Sequence, residues 1–534
     1  MFQAKSMIED FRALDASVPL SADVCVVGAG AAGIVLATEL SKAGLHVMML
    51  ESGDVRPKKI DQALNTGEVV GQRYAGLTNG RMRALGGATR LWFGQCIRLE
   101  EIDLAKRHWV PYSGWPISME DLAPWYQRAE QFFELEGERY DEQIYRNLGM
   151  SPPAWYDGEL CTHFTIYTPR IDLGRLLYRE IKENMGIRLL LNANVVEVAV
   201  NEGGSTCGGV HITSLGGKAA FAKAPVVVLS CGGIENARLL LLSRSKKREG
   251  LGNDRDLVGR FLQDHPNAKT ATVYPRDIGS FHALFSLQYK TYFRYFPKFP
   301  LHPRKQRAEQ CLNCTSHLVF QQDEDSGLAA AKEIYRAVRR KQKPSQIGQK
   351  LWNTTRDLPS VLHAAFSFLF KSKSVLGQPI QVRLQCHTEQ QPDPESRITL
   401  SMDRDILGMP KARVHWKINE AERTSMCIAT RSMKWELARL GLAEVQIDPW
   451  LDDDAADWKS RITDSYHHIG STRMASSEGD GVVDSNCQVF GTRGLFVAGS
   501  SVFPTSGYAN PTLTIVALSL RLAHHIRETM PHGS

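Results

Sequence analysis

The chain has 534 residues, of which 43% are hydrophobic and 23% are charged, and its formal net charge is +6. These values describe a globular protein large enough for two or three domains, and the small charge excess gives no case for nucleic-acid binding. The segment Met1–Leu20 contains acidic residues and no continuous apolar run. We therefore predict no secretory signal, no transmembrane segment and a cytoplasmic location.

The 10 cysteines are scattered along the chain, too sparse for a disulfide scaffold and in keeping with a reducing compartment. Cys311 and Cys314 have C-x-x-C spacing. A zinc or iron–sulfur site would need a second pair or neighbouring histidines, and none is close in sequence. We expect free thiols and no metal, with a metal at this pair as the less favoured alternative.

The first recognisable unit has the strand–turn–helix–strand order of a βαβ motif. Asp23–Val27 is a short apolar run of strand length, and glycines follow it. Apolar residues at helical spacing then continue to Gly44, which ends the helix. His46–Leu50 is predicted to form the second strand.

The turn of this unit matches the dinucleotide fingerprint G-x-G-x-x-G. Gly28 permits a tight turn, Gly30 lets the backbone approach a pyrophosphate, and Gly33 lets the helix and strand pack closely. The backbone amides at the start of the helix, including those of Ala31 and Ala32, would point at the phosphates.

An acidic residue completes the fingerprint. Glu51 ends the second strand, 18 residues after Gly33. Its carboxylate can accept hydrogen bonds from ribose hydroxyls and would repel a 2′-phosphate. The motif alone does not separate FAD from NAD.

Two more strand–glycine–helix units lie far along the chain. The strand Pro225–Ser230 leads into Cys231–Gly233 and a helix, and the strand Gly494–Ala498 leads into Gly499–Ser501. A final helix is predicted from about Thr512 to Ile526. The simplest arrangement has all three units building one nucleotide-binding domain.

We assign residues 20–110, 190–270 and 465–528 to this domain, and residues 111–189 and 271–464 to a second, substrate-binding domain. Within the second domain, Arg397–Leu400 and Ala412–Ile418 read as strands.

The stretch Ala329–Ser374 combines basic residues, among them Arg336, Arg339, Arg340, Lys341 and Lys343, with the apolar cluster Ala364–Phe370. It is predicted to form two helices with solvated basic faces; contact with a membrane surface or a protein partner is the alternative.

Taken together, these segments resemble the glucose–methanol–choline (GMC) family of FAD-dependent alcohol oxidases and dehydrogenases. The resemblance covers nearly the whole chain. It rests on the glycine motif with Glu51 and on Arg83–Thr89, Cys231–Arg238, Tyr466–Gly470 and Gly507–Thr512.

The resemblance implies an α/β fold: a Rossmann-like FAD-binding domain with a second substrate domain built on an antiparallel β-sheet flanked by helices. It also implies which residues contact FAD: Gly28, Gly30, Ala31, Ala32, Gly33, Glu51, Ser52, Arg83, Gly86, Gly87, Thr89, Val195, Cys231, Gly232, Gly499, Ser500, Asn510, Pro511 and Thr512.

We expect the FAD to be bound non-covalently. Some relatives link the flavin to a His four residues after the Gly-Gly pair of the second flavin loop. Here that position is Leu91, four residues after Gly87, and it has no nucleophile. Cys96 lies nearby, but its spacing does not match.

Other segments look closer to the sugar-oxidising, pyranose-oxidase-like branch of the family. These are Ser113–Ile117, Asp264–Pro266 and Gln390–Leu400, the last containing Ser396 and Arg397. They favour a sugar or another polyol as the substrate. O2 or a separate electron acceptor would reoxidise the flavin.

Oxidation of an alcohol by hydride transfer needs a base for the hydroxyl proton. In the family a His three residues before a Gly has this role, which implies His467, three before Gly470. Its partner would be Asn510. His468 as the base, or His467 as a core histidine, are the alternatives. Asn510 is also predicted to cap the final helix, with Pro511 at its first position.

The predicted function is therefore FAD-dependent oxidation of a CH–OH group to a carbonyl, by hydride transfer to flavin N5 with His467 as the base. A flavin monooxygenase shares the N-terminal fingerprint and stays open as an alternative. So does a non-redox flavin-dependent lyase or a flavin-binding protein on the same scaffold.

Overall fold

The computed structural model describes residues 7–15, 18–290, 292–322, 326–339, 346–359, 361–362, 379–451 and 457–530. Its strands are β1 (Ile8–Asp10), β2 (Leu20–Ser21), β3 (Val24–Val27), β4 (Val47–Leu50), β5 (Gly67–Gly71), β6 (Gln95–Cys96), β7 (His163–Tyr167), β8 (Ile187–Leu191), β9 (Asn194–Val200), β10 (Cys207–Thr213), β11 (Ala219–Lys223), β12 (Val226–Leu229), β13 (Asn267–Pro275), β14 (Gln288–Lys290), β15 (Phe293–Pro300), β16 (Cys314–Gln322), β17 (Pro379–Thr388), β18 (Arg397–Arg404), β19 (Pro410–Trp416), β20 (Ala443–Ile447) and β21 (Leu495–Val497).

The α-helices are α1 (Ala31–Lys42), α2 (Lys59–Gln62), α3 (Glu101–Leu104), α4 (Met119–Phe132), α5 (Gln143–Asn147), α6 (Leu173–Leu176), α7 (Tyr178–Glu183), α8 (Gly233–Leu242), α9 (Ile278–Phe285), α10 (Pro303–Glu309), α11 (Gly327–Arg339), α12 (Ile347–Arg356), α13 (Glu420–Arg439) and α14 (Thr512–Thr529). Short 3₁₀ turns lie at Phe11–Ala13, Ala63–Asn65, Ala75–Leu77, Gly87–Arg90, Pro449–Leu451, Trp458–Arg461 and Ser500–Val502.

A six-stranded parallel sheet carries the nucleotide motif. Its strand order is β1-β8-β4-β3-β12-β21, and every neighbouring pair is parallel. The strands β3 and β4 are continuous apolar runs and are buried throughout, as expected where helices cover both faces of a parallel sheet. This sheet gathers the three strand–glycine–helix units and confirms the predicted Rossmann-like architecture.

The second large sheet is antiparallel, with the order β20-β13-β17-β16-β15-β7-β6 and β14 beside β15. One face packs on the long helix α13, where Cys386 Sγ lies 3.6 Å from Thr430 Oγ1 of the helix. Because side chains alternate along a strand, the neighbours of Cys386 project from the opposite face, and two of these are Gln385 and His387. The predicted antiparallel substrate domain is therefore present, and the face away from α13 carries polar side chains.

Two smaller sheets connect these layers. One has the order β2-β11-β10-β9 and the other β18-β19-β5. The strands predicted at Arg397–Leu400 and Ala412–Ile418 correspond to β18 and β19, and β19 pairs in parallel with β5, more than 300 residues earlier in the chain. The domain boundaries proposed from the sequence stay a prediction.

The stretch Ala329–Ser374 falls on α11 and α12, in agreement with two predicted helices, while Arg340, Lys341, Lys343 and Ala364–Phe370 lie outside the described residues. Within the described ranges, no helix has both the length and the apolar character needed to span a bilayer.

Candidate active site

The glycine loop between β3 and α1 is shaped by close backbone contacts. Gly28 has φ +101°, and a Cβ there would lie 2.7 Å from the Ser230 carbonyl oxygen. A Cβ on Gly33 would lie 1.9 Å from the Gly28 oxygen, so helix and strand pack closely only with glycine at this position. At Gly30 a Cβ would meet no atom within 4 Å. The loop therefore packs closely against neighbouring backbone at Gly28 and Gly33, and space is open beside Gly30.

Glu51 holds the loop from the end of β4. Its carboxylate accepts the backbone N–H groups of Ala29 at 3.0 Å and Gly53 at 2.8 Å. Burial raises the pKa of Glu51, and these two amide donors oppose the shift. The acid predicted to meet the ribose thus also ties the glycine loop to the second strand.

The second glycine pair packs directly onto this loop. The N–H of Gly86 donates to the Ala29 oxygen at 2.8 Å, and a Cβ on Gly87 would lie 2.9 Å from Gly30 Cα. Thr89 caps the pair, its hydroxyl donating to the Gly86 oxygen at 2.5 Å. Residues more than 50 positions apart in sequence therefore form one continuous backbone surface.

A cavity of about 810 Å³ opens over this surface. The residues that line it include most of those predicted to contact the cofactor: Gly28, Gly30, Ala31, Ala32, Glu51, Ser52, Arg83, Gly87, Thr89, Val195, Cys231, Gly232, Gly499, Ser500, Asn510, Pro511 and Thr512. Gly33 and Gly86 lie behind the lining, where they make the close backbone contacts described above. His467 lines the same cavity.

A cluster of charged side chains at this cavity was not predicted as a group. Glu235 pairs with Arg81 at 2.6 Å, Arg83 at 3.1 Å and Arg238 at 3.1 Å, and Arg238 also pairs with Asp405. The three guanidinium groups keep the pKa of Glu235 far below its usual value, against the effect of burial. Arg238 belongs to a motif seen in the sequence, whereas Asp405 carried no local signal.

The backbone around His467 is fixed by one buried carboxylate. Asp264 accepts the N–H of His467 at 3.0 Å, of Ser465 at 3.0 Å and of His265 at 2.7 Å. Burial and the nearby Asp464 raise the pKa of Asp264 to about 7. A backbone bridge between Gln263 and Ile469 continues this pairing. The segment carrying His467 is therefore joined to the segment just before β13.

The ring of His467 meets the ring of His265. Their Nδ1 atoms are 2.8 Å apart, and His265 Nε2 lies 3.2 Å from the Ser506 carbonyl oxygen. Since a carbonyl only accepts, a neutral His265 carries its proton on Nε2 and accepts on Nδ1. His467 must then donate from Nδ1, and its Nε2 carries the free lone pair.

Burial lowers the pKa of both rings, and so does the positive charge of Lys298. For His265 the lowered pKa is about 4, and for His467 it lies well below the ordinary value, with His265 itself contributing. Both imidazoles are therefore neutral at pH 7. This is the state that the hydrogen-bond assignment requires.

His468 is held differently. Its Nε2 lies 2.7 Å from the Gly76 carbonyl oxygen, and only 8% of the residue is exposed. Burial lowers its pKa to about 3. A Cβ on Gly233 would lie 2.3 Å from the His468 backbone oxygen, so this residue sits tightly between two loops. Although His468 also borders the cavity, its Nε2 is already engaged.

Asn510 accepts a hydrogen bond from Lys298, whose Nζ lies 3.3 Å from Asn510 Oδ1. Because an ammonium group only donates, the amide oxygen faces Lys298 and the amide NH₂ is left for another partner. The predicted capping role is wrong: α14 begins at Thr512, Pro511 occupies the cap position, and no side chain caps the helix. The helix starts later because the Pro511 carbonyl accepts the first helical bond, from Ile515 at 2.8 Å.

The segments that suggested a sugar-oxidising branch have structural contacts. Ser113 Oγ donates to the Arg107 oxygen, Trp115 Nε1 donates to Thr505 Oγ1 at 2.8 Å, and Ser396 Oγ donates to the Leu262 oxygen at 2.6 Å. Asp264 and His265 are the members of these segments that contact His467, through its backbone N–H and its ring respectively.

The cysteines singled out in the sequence lie away from the cavity. Cys311 and Cys314 are buried free thiols, and the described residues contain no group of His, Cys, Asp or Glu able to hold a metal ion. Cys96 is fully buried, is not part of the cavity lining, and burial raises the pKa of its thiol.

The residues present fit an FAD. The open space before Gly30 and before Gly232, where an added Cβ would meet no atom within 4 Å, leaves room for a pyrophosphate against the backbone. The start of α1 lies at the same place and directs its free amides outward. Glu51, the predicted ribose acceptor, lines the same cavity as His467 and Asn510.

Comparison with known proteins defines the class of enzyme. Residues 23–249 match the family model described as FAD dependent oxidoreductase, and residues 392–519 match the model described as GMC oxidoreductase. The chain is an FAD-dependent oxidoreductase that acts on alcohol groups. Its resemblance to the GMC oxidoreductase family is supported by the family models and by relatives that match nearly the full chain.

Relatives match over nearly the full length. The fructose dehydrogenase large subunit of Gluconobacter japonicus is 24% identical, and the alignment covers 96% of this chain and 99% of that protein. The 2-methyl-1,2-propanediol dehydrogenase of Mycolicibacterium austroafricanum is 25% identical, with 94% and 95% covered. A crystal structure of formate oxidase has the same fold, with a TM-score of 0.58, 18% identity and coverage of 96% of this chain and 99% of that one.

Proposed function

We propose that this enzyme oxidises a secondary or primary carbinol of a sugar or related polyol to a carbonyl, with His467 as the base and Asn510 as the hydrogen-bond donor to the reacting oxygen. The single observation that carries the proposal is the His265–His467 pair, which leaves a neutral imidazole with its Nε2 lone pair free at the cavity. A bound FAD supplies the acceptor for the carbon-bound hydride.

His467 takes the hydroxyl proton at Nε2. The Nδ1–H of His467 stays hydrogen-bonded to His265 Nδ1, so the ring keeps its orientation when it becomes charged. His265 is a positioning residue in this scheme, because it sets the tautomer of His467 through its own bond to the Ser506 oxygen.

Asn510 holds the substrate oxygen. Its amide oxygen is turned toward Lys298, which leaves the NH₂ group to donate to the oxygen that loses its proton. A donor at this point favours the alkoxide character that develops as the proton leaves. The two residues thus act on one atom, His467 as acceptor and Asn510 as donor.

The test is anaerobic bleaching of the purified, FAD-loaded protein by a panel of sugars, polyols and simple alcohols. We expect at least one of them to abolish the flavin absorbance near 450 nm without any nicotinamide, because the substrate itself reduces the flavin. Bleaching only by NADPH or NADH would support a monooxygenase instead. If no compound bleaches the flavin, the proposed function is wrong and a non-redox role gains support.

We further propose that the FAD is not covalently attached. Leu91 stands where some relatives carry the linking histidine, and Cys96 lies outside the cavity. Retention then depends on the glycine loop, Glu51 and burial of the ring system. Denaturation in acid should release all of the yellow colour into the supernatant. Flavin fluorescence that stays with the protein band on a denaturing gel would contradict this.

A further inference from the structure

The polar face of the antiparallel sheet carries a buried lysine beside Asn510, one of the two residues proposed to act on the substrate oxygen. Lys298 on β15 is registered with His163 on β7. On its other edge β15 pairs with β16, where Phe299 is registered with Ser316. Lys298 and His317 are the next residues along these two antiparallel strands, so they lie opposite each other on the same face. His317 is in turn registered with Gln385 on β17.

Lys298 has no carboxylate partner among the described residues. Only 3% of it is exposed, and its hydrogen bond goes to the neutral Asn510 Oδ1. Its ammonium also lies 5.8 Å from the centre of the Tyr508 ring. Burial lowers the pKa of Lys298 to about 8, so it stays mostly charged at pH 7. Keeping an unpaired charge buried is costly, and such groups are characteristic of functional sites.

Polar atoms on the same face also lack partners. His317 Nδ1, Thr315 Oγ1 and Thr165 Oγ1 are buried and have no hydrogen-bond partner within the part of the chain that the structure describes. Thr165 is registered with Phe296, two residues before Lys298, and Thr315 lies two residues before His317. Three unsatisfied polar groups around one unpaired cation indicate a polar ligand that supplies the missing partners.

We propose that Lys298, His317 and Thr315 form an anion subsite next to His467 and Asn510, and that the substrate is a polyol carrying a carboxylate, that is, a sugar acid. The inference rests on the proposed function, because it assigns a substrate class to the same site. The carboxylate would accept hydrogen bonds from the two ammonium protons that Asn510 leaves free and from the threonine hydroxyl.

The charge balance favours a carboxylate over a phosphate. Burial, together with the charge of Lys298, lowers the pKa of His317 to about 3 and that of His387 well below its ordinary value. Both rings are neutral at pH 7, so Lys298 supplies the positive charge of this subsite. One buried cation balances a single negative charge and would leave a phosphate dianion under-compensated.

The experiment measures binding by titration calorimetry to the FAD-loaded protein at pH 7. Each acid is paired with its neutral counterpart: D-gluconate with D-glucitol, D-glucuronate with D-glucose, and glycolate with ethylene glycol. In the wild-type protein at least one acid should bind more tightly than its partner. Lys298→Met should weaken binding of that acid at least about 10-fold more than it weakens binding of the neutral partner.

Lys269 provides the matched control. It lies on β13 of the same antiparallel sheet, is exposed, and makes no contact with His467 or Asn510. Lys269→Met should retain the wild-type affinity for the acid. If Lys298→Met loses FAD, the neutral variant Lys298→Gln serves in its place.

If none of the acids binds to the wild-type protein more tightly than its neutral partner, the proposal is wrong, and no variant is needed to show it. Undiminished binding of the acid to an FAD-loaded neutral variant also overturns it. These outcomes differ from a failure of the proposed function, which would appear as absence of flavin bleaching while the acids still bind.

Discussion

The two walls of the active-site cavity are specified in different ways. The wall on the parallel sheet consists largely of backbone: glycine loops after β3, at Gly86–Gly87 and at Gly232, with Glu51 as the acid at its edge. The wall toward the antiparallel sheet consists of side chains, with the His265–His467 pair and the hydrogen bond from Lys298 to Asn510. In the proposed function the first wall binds the FAD and the second selects what is oxidised.

This difference follows from how each sheet is buried. The central strands β3 and β4 of the parallel sheet are buried throughout and carry only apolar residues, so chemistry is confined to the loops at their carboxyl ends. The antiparallel sheet is covered by α13 on one face, and the other face is available for polar side chains along whole strands. Changes in the two walls should therefore separate cofactor retention from substrate oxidation.

The largest effect is expected at His467. His467→Ala removes the proton acceptor, and flavin reduction by an effective substrate should slow at least about 100-fold, the usual scale for a positioned base. FAD should be retained, because the cofactor wall is untouched. Stopped-flow reduction under anaerobic conditions and the visible spectrum measure the two properties on one sample.

His468→Ala is the matched control for this variant. Its Nε2 is bonded to the Gly76 oxygen, so we expect a loss of stability with a smaller change in the reduction rate. Near-normal reduction in His467→Ala together with a collapse in His468→Ala would reverse the assignment of the base.

A smaller effect is expected at Glu51, on FAD binding and not on the rate of flavin reduction. Glu51→Ala removes the ribose acceptor and leaves the N–H groups of Ala29 and Gly53 without their partner. FAD should bind about 10- to 100-fold more weakly, the range for hydrogen bonds to a charged group, and be lost on dialysis. Once reconstituted with excess FAD, the variant should bleach at the normal rate.

The control is Asp54→Asn, three residues further on, where the carboxylate pairs with Lys58 near the surface. FAD retention unchanged in Glu51→Ala, or a reduction rate that falls as far as in His467→Ala, would show that the two walls are not separable in this way.

The cofactor wall was largely predictable from the sequence because its constraints are local. A positive φ at Gly28 and a 1.9 Å approach at Gly33 can be met only by glycine, so the motif records the geometry directly. The strands on either side appear as short apolar runs for the same reason. Predicted and observed bounds differ there by one residue or so, as in Asp23–Val27 against Val24–Val27.

The substrate wall was less predictable because strand register determines which residues meet. Nothing near Lys298 in the sequence shows that it reaches Asn510, more than 200 positions away. A lysine inside an aromatic strand, Phe293–Pro300, was the available signal. Asn510 itself was assigned a capping role from a local pattern, and its tertiary contact with Lys298 together with the later helix start replaced that role.

The smallest effect, and the one that sharpens the comparison furthest, is on the pH dependence of flavin reduction. His467 acts as a base only when it is unprotonated. Burial, His265, Lys298 and His468 all lower its pKa well below the ordinary value, so protonation sets in at a lower pH than for a free imidazole. The reduction rate should therefore stay flat between pH 8 and pH 6, whereas an unperturbed imidazole with a pKa of about 6.5 would lose roughly three quarters of its activity by pH 6.

Lys298→Met removes one of the charges that disfavour the imidazolium, and the midpoint of the acid limb should move to higher pH. The measurement is the anaerobic reduction rate at saturating substrate from pH 8 down through the acid limb, with Lys269→Met as the control. A wild-type midpoint near 6.5, or no shift in Lys298→Met, would mean that the charge on the antiparallel sheet does not act on the base.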